Sequence, residues 1–181
     1  MNGEDGVVRR VSSREVYRNP WLTLREDEIR RPDGSTGIYS VVDKPDFALV
    51  IPAEPDGFHL VEQYRYPVGG RYWEFPQGTA AGGATMEPAA LARAELAEET
   101  GFRAGTLRHL GHLDLAPGLT TQEFDVWLAT DLTAGSTDRE VSEADMTCAF
   151  VPEEELRARI RDGRFPDGPS VAGYGLLLLG R

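Results

Sequence analysis

Polar and apolar positions alternate singly along much of residues 7–43, around one clear turn: Leu22 to Arg30, then Pro32-Asp33-Gly34, then Ile38 to Val42. Alternation places successive side chains on opposite faces, so this region predicts a β-rich N-terminal arm. Phe47 to Pro52 is an unbroken apolar run of strand length, and Phe58 to Tyr66 alternates again with Phe58, Leu60 and Tyr64 on one face. The turn residues Glu54-Pro55-Asp56-Gly57 make those two strands neighbours. The period then changes. After the small-residue loop Gln77 to Thr85, the stretch Glu87 to Thr100 is rich in helix formers, with Pro88 in its first turn and Gly101 just past its end. Glu123 to Ala129 returns to alternation, with Phe124, Val126 and Leu128 opposite Asp125 and Trp127. Thr147 to Val151 reads as a strand, Pro152 opens a second helix running to Asp162, and Gly163 caps it. The most apolar run, Val171 to Leu179, predicts a buried terminal helix or strand and is far too short to span a bilayer. The order of elements predicts a mixed sheet covered by helices, in the α/β or α+β range.

Length changes the picture little: 181 residues suffice for one well-buried core with a small appended element. A composition of 40% hydrophobic and 27% charged residues fits a soluble globular chain. The net charge of −11 argues against a nucleic-acid binder, so an anionic substrate needs local arginines or divalent cations. A single Cys148 rules out an intramolecular disulfide, and the opening residues lack the apolar run of a signal peptide. The expectation is a cytoplasmic protein with no membrane partner.

Candidate chemistry concentrates in Arg93 to Phe102, where Glu95, Glu98 and Glu99 share one face of the predicted helix with no lysine placed to relieve them. A solvated charged face is the plain reading. Three crowded carboxylates beside a glycine-rich loop equally suit a hard cation such as Mg²⁺, which takes oxygen ligands and binds substrate phosphates. His109 and His112 stand three apart on a predicted strand, which points them to opposite faces and makes a zinc pair improbable. Cys148 reads as core filler.

Glu95-Leu96-Ala97-Glu98-Glu99-Thr100-Gly101-Phe102 resembles the second half of the Nudix box. Val61 to Val68, the Trp73-Glu74-Phe75-Pro76-Gln77-Gly78 stretch, Pro117 sixteen positions after Gly101, Glu140 to Met146 and Gly163 to Ser170 are similar to ADP-ribose pyrophosphatase-type Nudix enzymes. The resemblance covers nearly the whole chain and departs from the pattern in three places. Ala94 stands in place of the box arginine, with Arg93 about 100° away around the helix. Met86 takes the position of the first box glutamate, with Glu87 one step out of register, and the loop is two residues longer.

The resemblance implies an α/β/α sandwich with a mixed sheet, an arm over residues 1–44 that dimerises, and a Nudix domain over residues 45–181. It implies metal ligation of Mg²⁺, with Mn²⁺ as a substitute, by Glu95, Glu98, Glu99 and the carbonyl of Gln77. Glu95 and Glu98 are then also catalytic, and Glu143 is the base that activates water, with Glu140 second; the plain reading of both loop residues is a solvated carboxylate. Arg65 would reach a substrate phosphate, Glu74 would contact the same substrate or fix Arg65, and Pro117 would mark the substrate class. Tyr17 and Trp21 would stack on a base, against plain packing as the other reading. The activity implied is hydrolysis of a nucleoside diphosphate linked to another moiety, ADP-ribose first, giving AMP and ribose 5-phosphate in a homodimer. The alternatives are another nucleoside diphosphate sugar, or a binding module without turnover.

Overall fold

The computed structural model describes residues 6–80, 82, 84–137 and 145–180, which fall into two compact units. One comprises Met1–Asp46 with Asp114–Glu123, the other Phe47–Leu113 with Phe124–Arg181.

The first unit is an antiparallel sheet of β1 (Arg9–Arg18), β2 (Thr23–Arg30) and β3 (Thr36–Asp43), with β2 central. Its β2–β3 turn is the one the sequence marks: Gly34 takes a left-handed φ of 84°, and the Asp33 carboxylate accepts the Ser35 N–H at 2.9 Å. The sequence reading did not delimit β1, whose ten residues are all exposed and whose register slips twice, at Arg10/Ser12 and Glu15/Tyr17. Residues 114–123 belong to this unit through bonds such as Tyr39 Oη to the Gly118 carbonyl at 3.0 Å.

The second unit is built on β4 (Phe47–Glu54), β5 (Gly57–Arg65), β6 (Gly70–Glu74), β7 (Gln77–Gly78), β8 (Phe102–Asp114), β9 (Glu123–Ala134) and β10 (Thr147–Pro152). The main path runs β10-β5-β4-β9-β8. Because β4 pairs parallel with β9 and antiparallel with β5, the sheet is mixed. The unbroken apolar run of β4 reflects burial on both faces. Phe47, Leu49 and Ile51 enter a core with Phe58, Leu60, Phe75 and Val126, and this face is covered by α2 (Glu153–Arg161) through Leu156 and by α3 (Gly168–Leu179) through Tyr174 and Leu177. Ala48 and Val50 point the other way, into a smaller cluster with Leu91, Ala92 and Leu96 of the helix that starts as α1 (Pro88–Glu95). The result is an α/β/α sandwich. Each fully buried Leu, Ile or Val in β4 contributes about 1.5–3 kcal/mol relative to exposure.

Two details position the site. First, β5 keeps β4 as a partner only at the hairpin, Ala53 with Phe58 and Glu54 with Gly57. Beyond it, β6 takes the β5 edge from Val61 to Arg65, and β7 takes the β4 edge at Ala48 and Leu49. Residues 70–78 therefore fill an opening between two central strands. Second, the predicted single helix over Glu87–Thr100 is α-helical only to Glu95 and then becomes a π-helical turn, Leu96–Thr100, closed by Gly101 at φ 79°. Inserted π turns recur at functional sites because they re-aim the side chains around them.

The expectation for His109 and His112 is corrected. Both imidazoles reach the same Asp125 oxygen, His109 Nε2 at 2.7 Å and His112 Nδ1 at 3.3 Å, so strict alternation fails between them on β8. Each residue of β8 is half-buried or exposed, so it lacks the one-sided burial that enforces a two-residue period. Cys148 is half-buried on β10 rather than core filler.

Candidate functional site

The opening between β4 and β5 brings five of the expected residues, Arg65, Glu74, Gln77, Glu95 and Glu99, to one place. Glu74 ends β6 with only 1% of its surface exposed, a position no carboxylate occupies without partners. Those partners are Gln63, whose Nε2 donates to Oε1 at 2.6 Å, and Arg65, whose Nε donates to Oε2 at 3.1 Å while Nη2 donates to Oε1. Of the two expectations for Glu74, the geometry shows the second: it fixes Arg65. Burial pushes the Glu74 carboxyl above its usual range, against the pull of Arg65. Burial also draws the Arg65 guanidinium down, but Glu74, with Asp167 and Glu99 behind it, more than offsets this and holds the cation firmly charged. The two bonds to Glu74 use Nε and Nη2 of Arg65, and the side chain is 41% exposed.

Below this pair, the Gln77 N–H donates to Glu99 Oε2 at 3.3 Å, and the Gln77 side-chain amide donates to Asp167 Oδ2 at 3.0 Å. Glu99 is 1% and Glu95 6% exposed, whereas Glu98 is half-exposed on the same π turn. Gly78 lies against Glu95 so closely that a Cβ there would fall on the carboxylate, 2.8 Å from its Cδ. A side chain at this position would have to displace the end of Glu95. Two buried carboxylates backed by main chain form a hard-oxygen donor set, which suits a divalent cation. Among the described residues, no three His, Cys, Asp or Glu side chains form a ready-made metal group. The expected cluster is therefore two buried glutamates with Glu98 alongside.

The departures from the box take a definite form. Met86 and Glu87 are exposed ahead of α1. Arg93 does not stand in for the residue missing at Ala94, because its Nη1 donates to the Ala104 carbonyl at 2.8 Å. Arg65 is a cation that Glu99 acts on by its charge.

Other expected residues lie elsewhere. Tyr17 and Trp21 belong to the first unit and are 55% and 72% exposed, so plain packing is not their state in this chain. Pro117 is exposed in the same unit, in the turn where Leu119 N–H donates to the Ala116 carbonyl. Glu140 and Glu143 lie outside the described residues.

Sequence reasoning missed Gln63, Asp167 and Ser170 as members of the site. The Ser170 hydroxyl, fully buried, accepts the Phe75 N–H at 2.8 Å, and Asp167 caps α3 by accepting the Ser170 N–H at 2.9 Å. An Asp followed closely by Pro is a legible helix start. What the start touches, some ninety residues upstream, is not legible.

Comparison with known proteins converges on one family. The NUDIX domain matches residues 43–171, and a second match, the nucleoside diphosphate sugar hydrolase N-terminal domain, covers residues 8–42. An ADP-ribose pyrophosphatase of Mycobacterium tuberculosis is 33% identical over 166 residues, covering 90% of this chain and 79% of that protein. An ADP-ribose pyrophosphatase of Bacillus subtilis is 26% identical over 134 residues, covering 74% of this chain and 71% of that protein. A crystal structure of an ADP compounds hydrolase superposes with a TM-score of 0.81 at 21% identity over 94% of this chain and 91% of the other, which is a likeness of fold.

Proposed function

The chain belongs to the NUDIX family, and from that premise we propose that it hydrolyses the pyrophosphate of ADP-ribose to AMP and ribose 5-phosphate. The observation that carries the reading is the meeting, in one opening of the sheet, of two buried glutamates, Glu95 and Glu99, with the fixed cation of Arg65. A divalent cation, Mg²⁺ or in its place Mn²⁺, fits the oxygens of Glu95 and Glu99 with Glu98 and the Gln77 main chain beside them; when bound it supplies neutralisation of the pyrophosphate charge and a more acidic water.

The chain's own residues supply the rest. Arg65, charged and held by Glu74, offers Nη1 to a substrate phosphate as a preorganised donor, which needs no reorganisation during reaction. Water adds to one phosphorus, the bridging P–O bond breaks, and the water proton passes to a carboxylate. Glu98, half-exposed on the π turn, is the described candidate for that proton, and Glu143 is the candidate from the sequence. The match of residues 8–42 to the sugar-hydrolase N-terminal domain supports the close alternative of another nucleoside diphosphate sugar. It also supports reading residues 1–44 as a dimerisation arm apart from the domain over 45–181, with Tyr17 and Trp21 exposed on the arm to stack on a base and Pro117 as a mark of substrate class. The lone Cys148 fits a reducing cytoplasmic setting.

The test is a panel of nucleoside diphosphate compounds with and without Mg²⁺. ADP-ribose is expected to release AMP fastest, chelation to stop it, and Glu99→Gln to lower kcat/KM by about 100-fold or more. A faster sugar nucleotide would replace the substrate, and binding of the panel without turnover of any member would replace the enzyme with a binding module.

A further inference from the structure

The segment Phe75–Gln77 is held at both ends by the first turn of α3. At one end the Phe75 N–H donates to the buried Ser170 hydroxyl at 2.8 Å. At the other the Gln77 amide donates to Asp167 Oδ2 at 3.0 Å, and that same oxygen accepts the Ser170 N–H at 2.9 Å. One carboxylate oxygen thus ends a helix and holds a side chain of the opening between β4 and β5. Gln77 is a short lever: its side chain is fixed by Asp167 while its own N–H faces Glu99 at 3.3 Å. Nothing else among the described hydrogen bonds restrains the Gln77 side chain.

We propose that Asp167 is a positioning residue: by holding the Gln77 amide it fixes the Gln77 main chain against Glu99, and so sets how firmly Glu95 and Glu99 hold a divalent cation. The proposal rests on the cation reading above. It separates two duties of one side chain, and the separation can be made by substitution. Asp167→Ser keeps an N-cap oxygen for the Ser170 N–H but is too short to reach Gln77. Asp167→Asn keeps both the reach and an acceptor. Gln77→Ala cuts the same bond from the other end and leaves the cap alone.

Mn²⁺ binding to the purified full chain, followed by the loss of the free-ion spectrum, reads the effect without turnover, and thermal unfolding reads the cap. Asp167→Ser and Gln77→Ala are each expected to weaken Mn²⁺ binding about 10-fold, in the range seen when a supporting partner of a ligand is removed. The double variant is expected to be no weaker than either single one, since both cut one bond. Asp167→Asn is expected to stay near wild type, and the Tm of Asp167→Ser to stay within a few degrees of it. Unchanged Mn²⁺ binding in Asp167→Ser, or losses that add in the double variant, would overturn the positioning role while leaving the cation reading intact. A wild-type chain that binds no Mn²⁺ overturns the cation reading and the proposal with it. If Asp167→Ser fails to fold, Gln77→Ala alone decides, its wild-type affinity being the overturning result.

Discussion

Arg65 and Glu74 form an asymmetric pair, and the asymmetry makes a prediction at the scale of single residues. Glu74 is buried while Arg65 is 41% exposed, so each leaves the other in a different medium when removed. Arg65→Ala strands a carboxylate in the core with Gln63 as its remaining bond, and is expected to cost about 3 kcal/mol in urea melts at neutral pH. Glu74→Gln leaves a guanidinium that water can reach, and is expected to cost less. The pH dependence follows from burial, which already pushes Glu74 above its ordinary 4.5. Without Arg65 the upward push loses its main opposition, with the Gln63 bond remaining, so the folded form of the variant binds the proton more tightly than the unfolded chain. Stability is then recovered as pH falls through the raised folded value and is lost as pH rises through it. The deficit of Arg65→Ala is therefore expected to shrink in acid. A deficit that stays constant from pH 7 to about pH 4 would show that Glu74 is not the stranded charge.

Two glycines separate strain from function at the scale of elements. Gly101 closes the π turn at φ 79°, and an added Cβ would stand 2.8 Å from the Gly135 carbonyl oxygen, a main-chain atom that cannot rotate away. Gly101→Ala is expected to cost about 1–3 kcal/mol and to lower activity only through lost folded protein. At Gly78 the atoms met are the mobile end of Glu95. Gly78→Ala is expected to cost less than about 1 kcal/mol yet lower kcat/KM by about 10-fold or more, because Glu95 must leave its place. Chemical melts alongside kcat/KM for both variants check the contrast. The same elements show what is legible in a sequence. The unbroken run of β4, the stop at Gly101 and the β4–β5 turn carry local signals that survive folding, and the three glutamates were visible as a group. The π turn was not, because its residues are as good in an α-helix as in the wider turn, and the backbone alone shows the change, α-helical to Glu95 and π-helical from Leu96. The wedge of residues 70–78 was not legible either, since it depends on where two strands stop pairing. Asp167 shows the same limit: its cap is local, its contact with Gln77 is not.

At the scale of the whole molecule, the three-stranded sheet of the first unit is notable for how little apolar surface its described residues bury. A sheet of this size needs a hydrophobic face packed on something to be stable. Among described residues 6–43, Ile29 is the one apolar side chain in the buried class, with Asp27 beside it in β2, while Val11, Val16, Tyr17, Trp21, Ile38 and Tyr39 are exposed. These side chains are spread over β1, the β1–β2 connection and both faces of β3, where Ile38 and Tyr39 are successive residues, so the sheet presents apolar area that a partner can cover. The homodimer that the resemblance implies would supply the cover, a second copy bringing the same strands to the same strands in the self-complementary manner of a two-fold contact. Light scattering on the purified chain is then expected to give about 40 kDa, twice the 19.9 kDa of one copy, across a dilution series. Placing carboxylates on both outer strands of the arm, as in Val16→Asp with Ile38→Asp, is expected to shift the population toward one copy and to lower the Tm, because a dimer contact over these strands would have to bury the new charges. If the wild-type chain runs as a single copy at every concentration while remaining folded, the arm is stable uncovered and its apolar residues await another partner. The isolated second unit offers the converse measurement. With the α/β/α core of β4, β5 and β9 complete within it, loss of the arm is expected to abolish dimerisation while leaving that core folded.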